Sequence, residues 1–221
     1  MNPTLQPAKV RALQVIVLAI AFASTPTRAE RTTLSLDGQW QIADGQSPDA
    51  IPPQFNHLVP VPGLANLAQP SFPNVDAFYS REHLVNRIRA KLTPPEWLTN
   101  YWNGKVDQDR NYFWYRRTFR APSPRAIALL KLNKAQFGTA VWLNGQKIGE
   151  YAGCFSASYF HLENAIHWQA ENTLLVRLGA HPAVLPDSYP TGSDFEKMKW
   201  TPGIYDNVSV SFCDNRSSGT S

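Results

Sequence analysis

The run GTAVWLNGQKIGEYAGCF, residues 138–155, constrains this chain more than any other stretch, because it specifies two strands and the turn that joins them. Val141 and Leu143 alternate with small or amphipathic neighbours, Asn144-Gly145 stands at the bend, and Ile148 and Tyr151 resume the inward-facing pattern on the return. Asn-Gly is the dipeptide best able to hold positive φ at both central positions, which a two-residue type I′ turn needs if its twist is to match the strands. The prediction is a β-hairpin.

Similar short segments, rich in Val, Ile, Leu, Tyr, Phe and Trp and separated by Pro, Gly, Asn and Asp, run from Thr33 onward. Strands are expected at 33–36, 40–43, 112–120, 127–132, 139–144, 146–151, 173–178 and 207–212. Many short strands without intervening helices point to a sandwich or barrel, since βαβ units would need crossovers. One interruption stands out. In REHLVNRIRAKL, Leu84, Ile88 and Leu92 recur at helical spacing before Pro94-Pro95, which predicts a helical insertion at about 77–103 with a solvated charged face. The tail CDNRSSGTS has nothing to bury, so 214–221 is expected to be disordered.

The N-terminus has a different character. Lys9 and Arg11 precede the apolar run 13–23, and Ala21-Phe22-Ala23 fits a small-residue cleavage site, so residues 1–29 read as a secretory signal with cleavage after Ala23 or Ala29. The run is about half of the roughly 20 residues that cross a bilayer, which favours a cleaved signal over a retained anchor. The expected product is exported, periplasmic or secreted, with no membrane association after cleavage. Removing 1–29 takes Lys9, Arg11 and Arg28 and no acid, so 21 basic residues fall to 18 against 17 acidic. That balance gives no electrostatic case for a nucleic-acid partner. Export makes a disulfide between Cys154 and Cys213 chemically permissible, and spacing alone does not say whether they meet.

Taken together, DGQWQIA (37–43), VPVPG (59–63), WYRRTF (114–119), VWLNGQKIGEYAG (141–153), ENTLLVRL (171–178) and PGIYDNVSV (202–210) resemble, in order, the N-terminal sugar-binding domain of glycoside hydrolase family 2. That family comprises β-galactosidases, β-glucuronidases and β-mannosidases. The resemblance implies an all-β fold, a galactose-binding-domain-like jelly-roll β-sandwich over 30–213. Cys154 stands where members often carry glycine, and His161 where an aspartate is common. In the family the catalytic glutamates lie on a later barrel domain; no stretch here matches it, so no catalytic residue is carried over. The chain is expected to represent the first domain of such a protein, free-standing or cut short, with a β-glycoside ligand and a catalytic barrel domain or subunit as partners.

The resemblance also implies that the loop before the last strand reaches a sugar subsite. Asp194 is the first choice for contact and Glu196 the second, since carboxylates accept hydrogen bonds from sugar hydroxyls, and Trp200 offers a stacking face. The plainer reading packs Trp200 under the loop and pairs Glu196 with Lys197 or Lys199. Asp187, Asp194 and Glu196 share this stretch and could supply the carboxyl pair, about 5 Å apart, of a retaining glycosidase, although acids in a Pro/Gly/Ser-rich loop are usually just solvated. Trp40, Trp114 and Trp142 sit in strand patterns and are expected to face inward, whereas Trp97, Trp102 and Trp168 lie in less regular segments. His161 and His167 lack the partners of a metal motif, GCFSAS lacks the GxSxG spacing, and no phosphate loop occurs, so no cofactor is expected. Asn207 and Asn215 begin glycosylation acceptor patterns, which matter only in a host that glycosylates secreted proteins.

Overall fold

The computed structural model describes residues 31–73, 75, 81–96, 110–181, 184–186, 188–189 and 201–214. Residues 1–30, both ends of the expected insertion (77–80 and 97–103), residues 190–200 and the tail after 214 lie outside the described residues.

Among the described residues, thirteen strands build the fold: β1 (Thr32–Ser35), β2 (Gly38–Gly45), β3 (His57–Val61), β4 (Gly63–Leu64), β5 (Tyr112–Arg120), β6 (Ile127–Leu132), β7 (Ala135–Gln136), β8 (Thr139–Leu143), β9 (Gln146–Tyr151), β10 (Ser158–His161), β11 (Glu171–Gly179), β12 (Gly203–Ile204) and β13 (Val208–Cys213). A four-stranded sheet, β1-β13-β6-β10, faces a six-stranded sheet, β3-β2-β5-β11-β8-β9, and the short β4-β12-β7 sheet accompanies them. Every strand pairing among the described residues is antiparallel. The jelly-roll sandwich expected from the motifs is the fold.

Alternation places one side chain of each pair in the space between the sheets. Leu130, Leu132, Val208, Val210 and Phe212 from the smaller sheet meet Trp40, Ile42, Phe113, Tyr115, Val141, Leu143 and Val176 from the larger one in a continuous core. Trp40 is fixed there by its indole N–H, which donates to the Leu36 carbonyl at 2.8 Å. Asp37, one residue further on, accepts from the Val208 N–H at 2.9 Å and from Asn207 Nδ2 at 2.7 Å. The DGQW and DNV motifs are therefore two halves of one fastening between the first and last strands.

The hairpin forms as read, with φ of +52° at Asn144 and +83° at Gly145. Val141 and Leu143 are fully buried, and Ile148 and Tyr151 pack against the same core. Asn144 does more than turn the chain. Its Nδ2 donates to the Ala165 carbonyl and to Asn172 Oδ1, both at 2.8 Å, while its Oδ1 accepts from the Thr173 N–H at 2.9 Å. Asn172, with no exposed surface, accepts from the His167 N–H at 2.7 Å and donates to the His167 and Ala170 carbonyls. Two amides thus satisfy one another and tie β8, β11 and the turn before β11 together.

Two expectations require correction, and one question left open by the sequence is answered. The helix spans Arg81–Arg89 and ends before Leu92, which is 65% exposed and belongs to no buried face. Trp114 and Trp142 are buried but face away from the main core: with Ala43, Phe55, Ala140 and Leu175 they make a second cluster on the outer side of the larger sheet. Cys154 and Cys213 are free thiols. Cys213 pairs with Ile127 at one end of β13, whereas the residue after Cys154 bonds to Ala135, beyond the opposite end of β6. The five-residue rise from Val208 to Cys213 separates those ends by about 16 Å, well beyond the roughly 7 Å Cα limit for a disulfide.

Replacing Asn172 by Ala orphans the His167 N–H and breaks the tie to Asn144. We expect urea unfolding of Asn172→Ala to show a loss of about 2–4 kcal/mol. A loss below about 1 kcal/mol would show that the amide pair is incidental to stability.

Candidate ligand site

Asp194, Glu196 and Trp200, and with them Asp187, lie outside the described residues. What the structure supplies is the ground on either side of their loop. On the returning side, the Tyr205 hydroxyl lies within hydrogen-bond reach of the Thr201 carbonyl and 3.1 Å from Gln136 Oε1, with Phe155 set edge-on against its ring at 4.8 Å. Burial first, and then the neighbouring Cys154, push the Tyr205 phenol up to about 12. The anchor of that flank is therefore a neutral phenol that stays protonated at physiological pH.

On the departing side, Val184 and Leu185 settle onto the sheet over two glycines. A β-carbon on Gly179 would lie 2.2 Å from Val184 Cγ2 and 2.9 Å from the Phe137 carbonyl oxygen, and one on Gly138 would lie 3.0 Å from Leu185 Cδ2. This segment forms one wall of a cleft of about 410 Å3 on the outer side of the larger sheet, whose other lining includes Pro48, Asp49, Tyr112, Lys147, Glu150 and Arg177. The floor follows from register. Arg177 pairs with Trp114 and with Ala140, and Ala140 pairs with Glu150, so all four share the outer face.

Four charges close the cleft's far side. Lys147 Nζ lies 2.9 Å from both Asp49 Oδ1 and Glu150 Oε1, and Arg177 Nη2 lies 3.3 Å from the same Glu150 oxygen. Arg177 also donates to the Pro48 carbonyl and lies over the Tyr112 ring, with its guanidinium carbon 4.6 Å from the centroid. Lys147 is 5.2 Å from the Trp142 centroid. The hydrogen bond from Lys147 holds both Asp49 and Glu150 below the usual carboxylate range, and Glu150 in turn raises Lys147. Asp49, Glu150 and Lys147 therefore remain ionised through neutral pH.

These residues escaped sequence reasoning because the contacts are distant in the chain: Lys147 and Asp49 are 98 positions apart, and Arg177 and Pro48 are 129 apart. One signal was present. Arg177 is a charge inside the otherwise apolar strand motif LLVRL, and a charge there has to emerge somewhere protected. The two histidines considered for metal go separate ways: His161 pairs with Glu163 at 3.0 Å, while His167 enters the amide network through its backbone. Among the described residues, no group of three or more His, Cys, Asp or Glu is placed to hold a metal ion.

A family model described as the β-galactosidase second all-beta domain matches residues 89–181. The resemblance to a glycoside hydrolase family 2 β domain holds. No curated protein matches the chain. Among solved structures, a β-glucuronidase from an uncultured Clostridium species is 18% identical with a TM-score of 0.53, over 84% of this chain and 29% of that one. A Bacteroides uniformis β-glucuronidase is 19% identical with a TM-score of 0.50, over 82% of this chain and 18% of that one. A Dictyoglomus thermophilum β-D-glucuronidase is 16% identical with a TM-score of 0.50, over 86% and 30%. The chain thus spans less than a third of the length of these enzymes.

Two measurements probe this ground. Gly179→Ala drives a methyl into Val184 and the Phe137 carbonyl, and should cost about 1–3 kcal/mol in denaturant unfolding. His181, 2% exposed and 3.0 Å from Asn111 Oδ1, has its pKa lowered by burial to about 4, so it is neutral when folded and titrates near 6.5 when unfolded. Its contribution is intact above about pH 6.5 and is lost as pH falls through 4, by up to about 3 kcal/mol. Unfolding measured across that window should show the loss, and His181→Gln should flatten it.

Proposed function

We propose that this chain is the carbohydrate-binding, substrate-positioning domain of an exported glycoside hydrolase family 2 type protein, working beside a catalytic barrel domain or subunit. The observation that carries this reading is the match in fold over 82–86% of the chain to β-glucuronidases of which it spans only 18–30%. The rest of such an enzyme is the natural seat of bond cleavage. On this reading the loop 187–200 lends the sugar pocket a hydrogen-bond acceptor in Asp194, with Glu196 beside it, and an aromatic face in Trp200. A carboxylate that accepts from two adjacent hydroxyls fixes a sugar's orientation, and an indole covers its C–H face. Neither act requires an acid and a nucleophile set across a glycosidic bond.

Calorimetry of the full chain with methyl β-galactoside, β-glucuronide and β-mannoside tests the proposal. One of the three should bind, and Asp194→Asn should weaken it about tenfold, the loss of a charge-assisted hydrogen bond. Binding by none of them would overturn the carbohydrate role. Aryl β-glycosides should give no turnover with the same preparation; turnover abolished by Asp194→Asn would replace this reading with a glycosidase acting through its own loop carboxylates.

A further inference from the structure

The charge quartet on the outer face is more than a strap for the 46–49 loop, because it leaves acceptors unused. Asp49 meets its cations through Oδ1 and Glu150 through Oε1, so that Oδ2 and Oε2 take no hydrogen bond among the described residues. Two ionised carboxylate oxygens therefore remain available at the rim of a cleft whose volume, about 410 Å3, falls within the roughly 300–1,000 Å3 of small-ligand sites. They are held without a ligand's help. Arg177, with its side chain only 12% exposed, is pinned by Pro48, Glu150 and the Tyr112 ring, so little side-chain ordering is left to oppose binding.

The charges also select the class of ligand. Two cations and two anions cancel, so an anionic ligand finds no net attraction and faces two carboxylates. A metal ion fares no better, since Lys147 and Arg177 already occupy the positions from which these carboxylates would be neutralised. A neutral molecule rich in hydroxyls suits the cleft. Each O–H can donate to a charged oxygen, a short and strong kind of hydrogen bond, while Val184, Leu185 and Pro186 supply an apolar wall for C–H groups. We propose that this cleft is a binding site for a neutral sugar unit, formed by the outer face of the larger sheet. It goes beyond the positioning role and does not depend on it.

The test is a nuclear magnetic resonance titration of the full chain with methyl β-D-glucoside, methyl β-D-galactoside and glucuronate, following the amide signals of Glu150, Gly179 and Leu185. At least one neutral glycoside should move these signals saturably, and glucuronate should not. Glu150→Gln should weaken the effect about tenfold, and Leu185→Trp, which fills the cleft without touching the charges, should abolish it. The proposal fails if no glycoside moves the three signals up to its solubility limit, if glucuronate moves them as readily, or if both Glu150→Gln and Leu185→Trp respond like the parent protein. Thermal unfolding of each variant identifies one that has lost its fold, and either substitution suffices alone.

Discussion

Everything on the larger sheet depends on the register between the hairpin and the strand beside it, and the paired amides of Asn144 and Asn172 hold that register. A strand has two faces, so a slip of one residue would exchange them. Arg177 would enter the core and Val176 would emerge. The amide pair opposes this at the point where the hairpin turns, because Asn144 bonds to both the backbone and the side chain of the neighbouring strand. Asn172 extends the fastening into the preceding turn through His167 and Ala170. With the register held, Arg177, Ala140 and Glu150 come into line, and the cleft follows from the same alignment.

The larger sheet is unusual in burying apolar side chains on both faces. Its inner face makes the sandwich core, while Trp114 and Trp142, with ring centroids 4.8 Å apart, lie beneath Phe55 and its loop on the other side. Cations complete the cover. Arg116 sits 4.3 Å from the Phe55 centroid, and Arg177 and Lys147 lie over Tyr112 and Trp142. Flat, weakly hydrated guanidinium groups suit such stacking. Trp114 and Trp142 are thereby spent on packing rather than on display.

Much of the fold was legible in the residues because strands announce themselves by alternation and turns by Asn-Gly. The expected strands at 112–120, 127–132 and 146–151 match to the residue, and the other expected strands to within two positions. What escaped had a physical reason. β3 carries Pro60, which lacks an N–H and reads as a loop, yet sits on the sheet's outermost strand where the missing donor is tolerated. The β10 strand is four residues long and opens on Ser158, too short to show a period. Alternation also cannot say which of two apolar faces is the inner one, and so Trp114 and Trp142 were placed on the wrong side. The cleft was illegible because its charges come from three distant segments, and only the folded sheet brings them together.

The fastening of the 46–49 loop has a consequence of its own. Its ion pairs stand half in water, with side chains of Asp49 and Glu150 66% and 53% exposed, so dissolved salt reaches them. At physiological ionic strength the screening length is about 8 Å, and it shrinks to about 3 Å at molar salt. Brine would therefore loosen this outer flap while leaving the amide-tied hairpin and the oily interior indifferent, which makes salinity a selective handle on one side of the molecule.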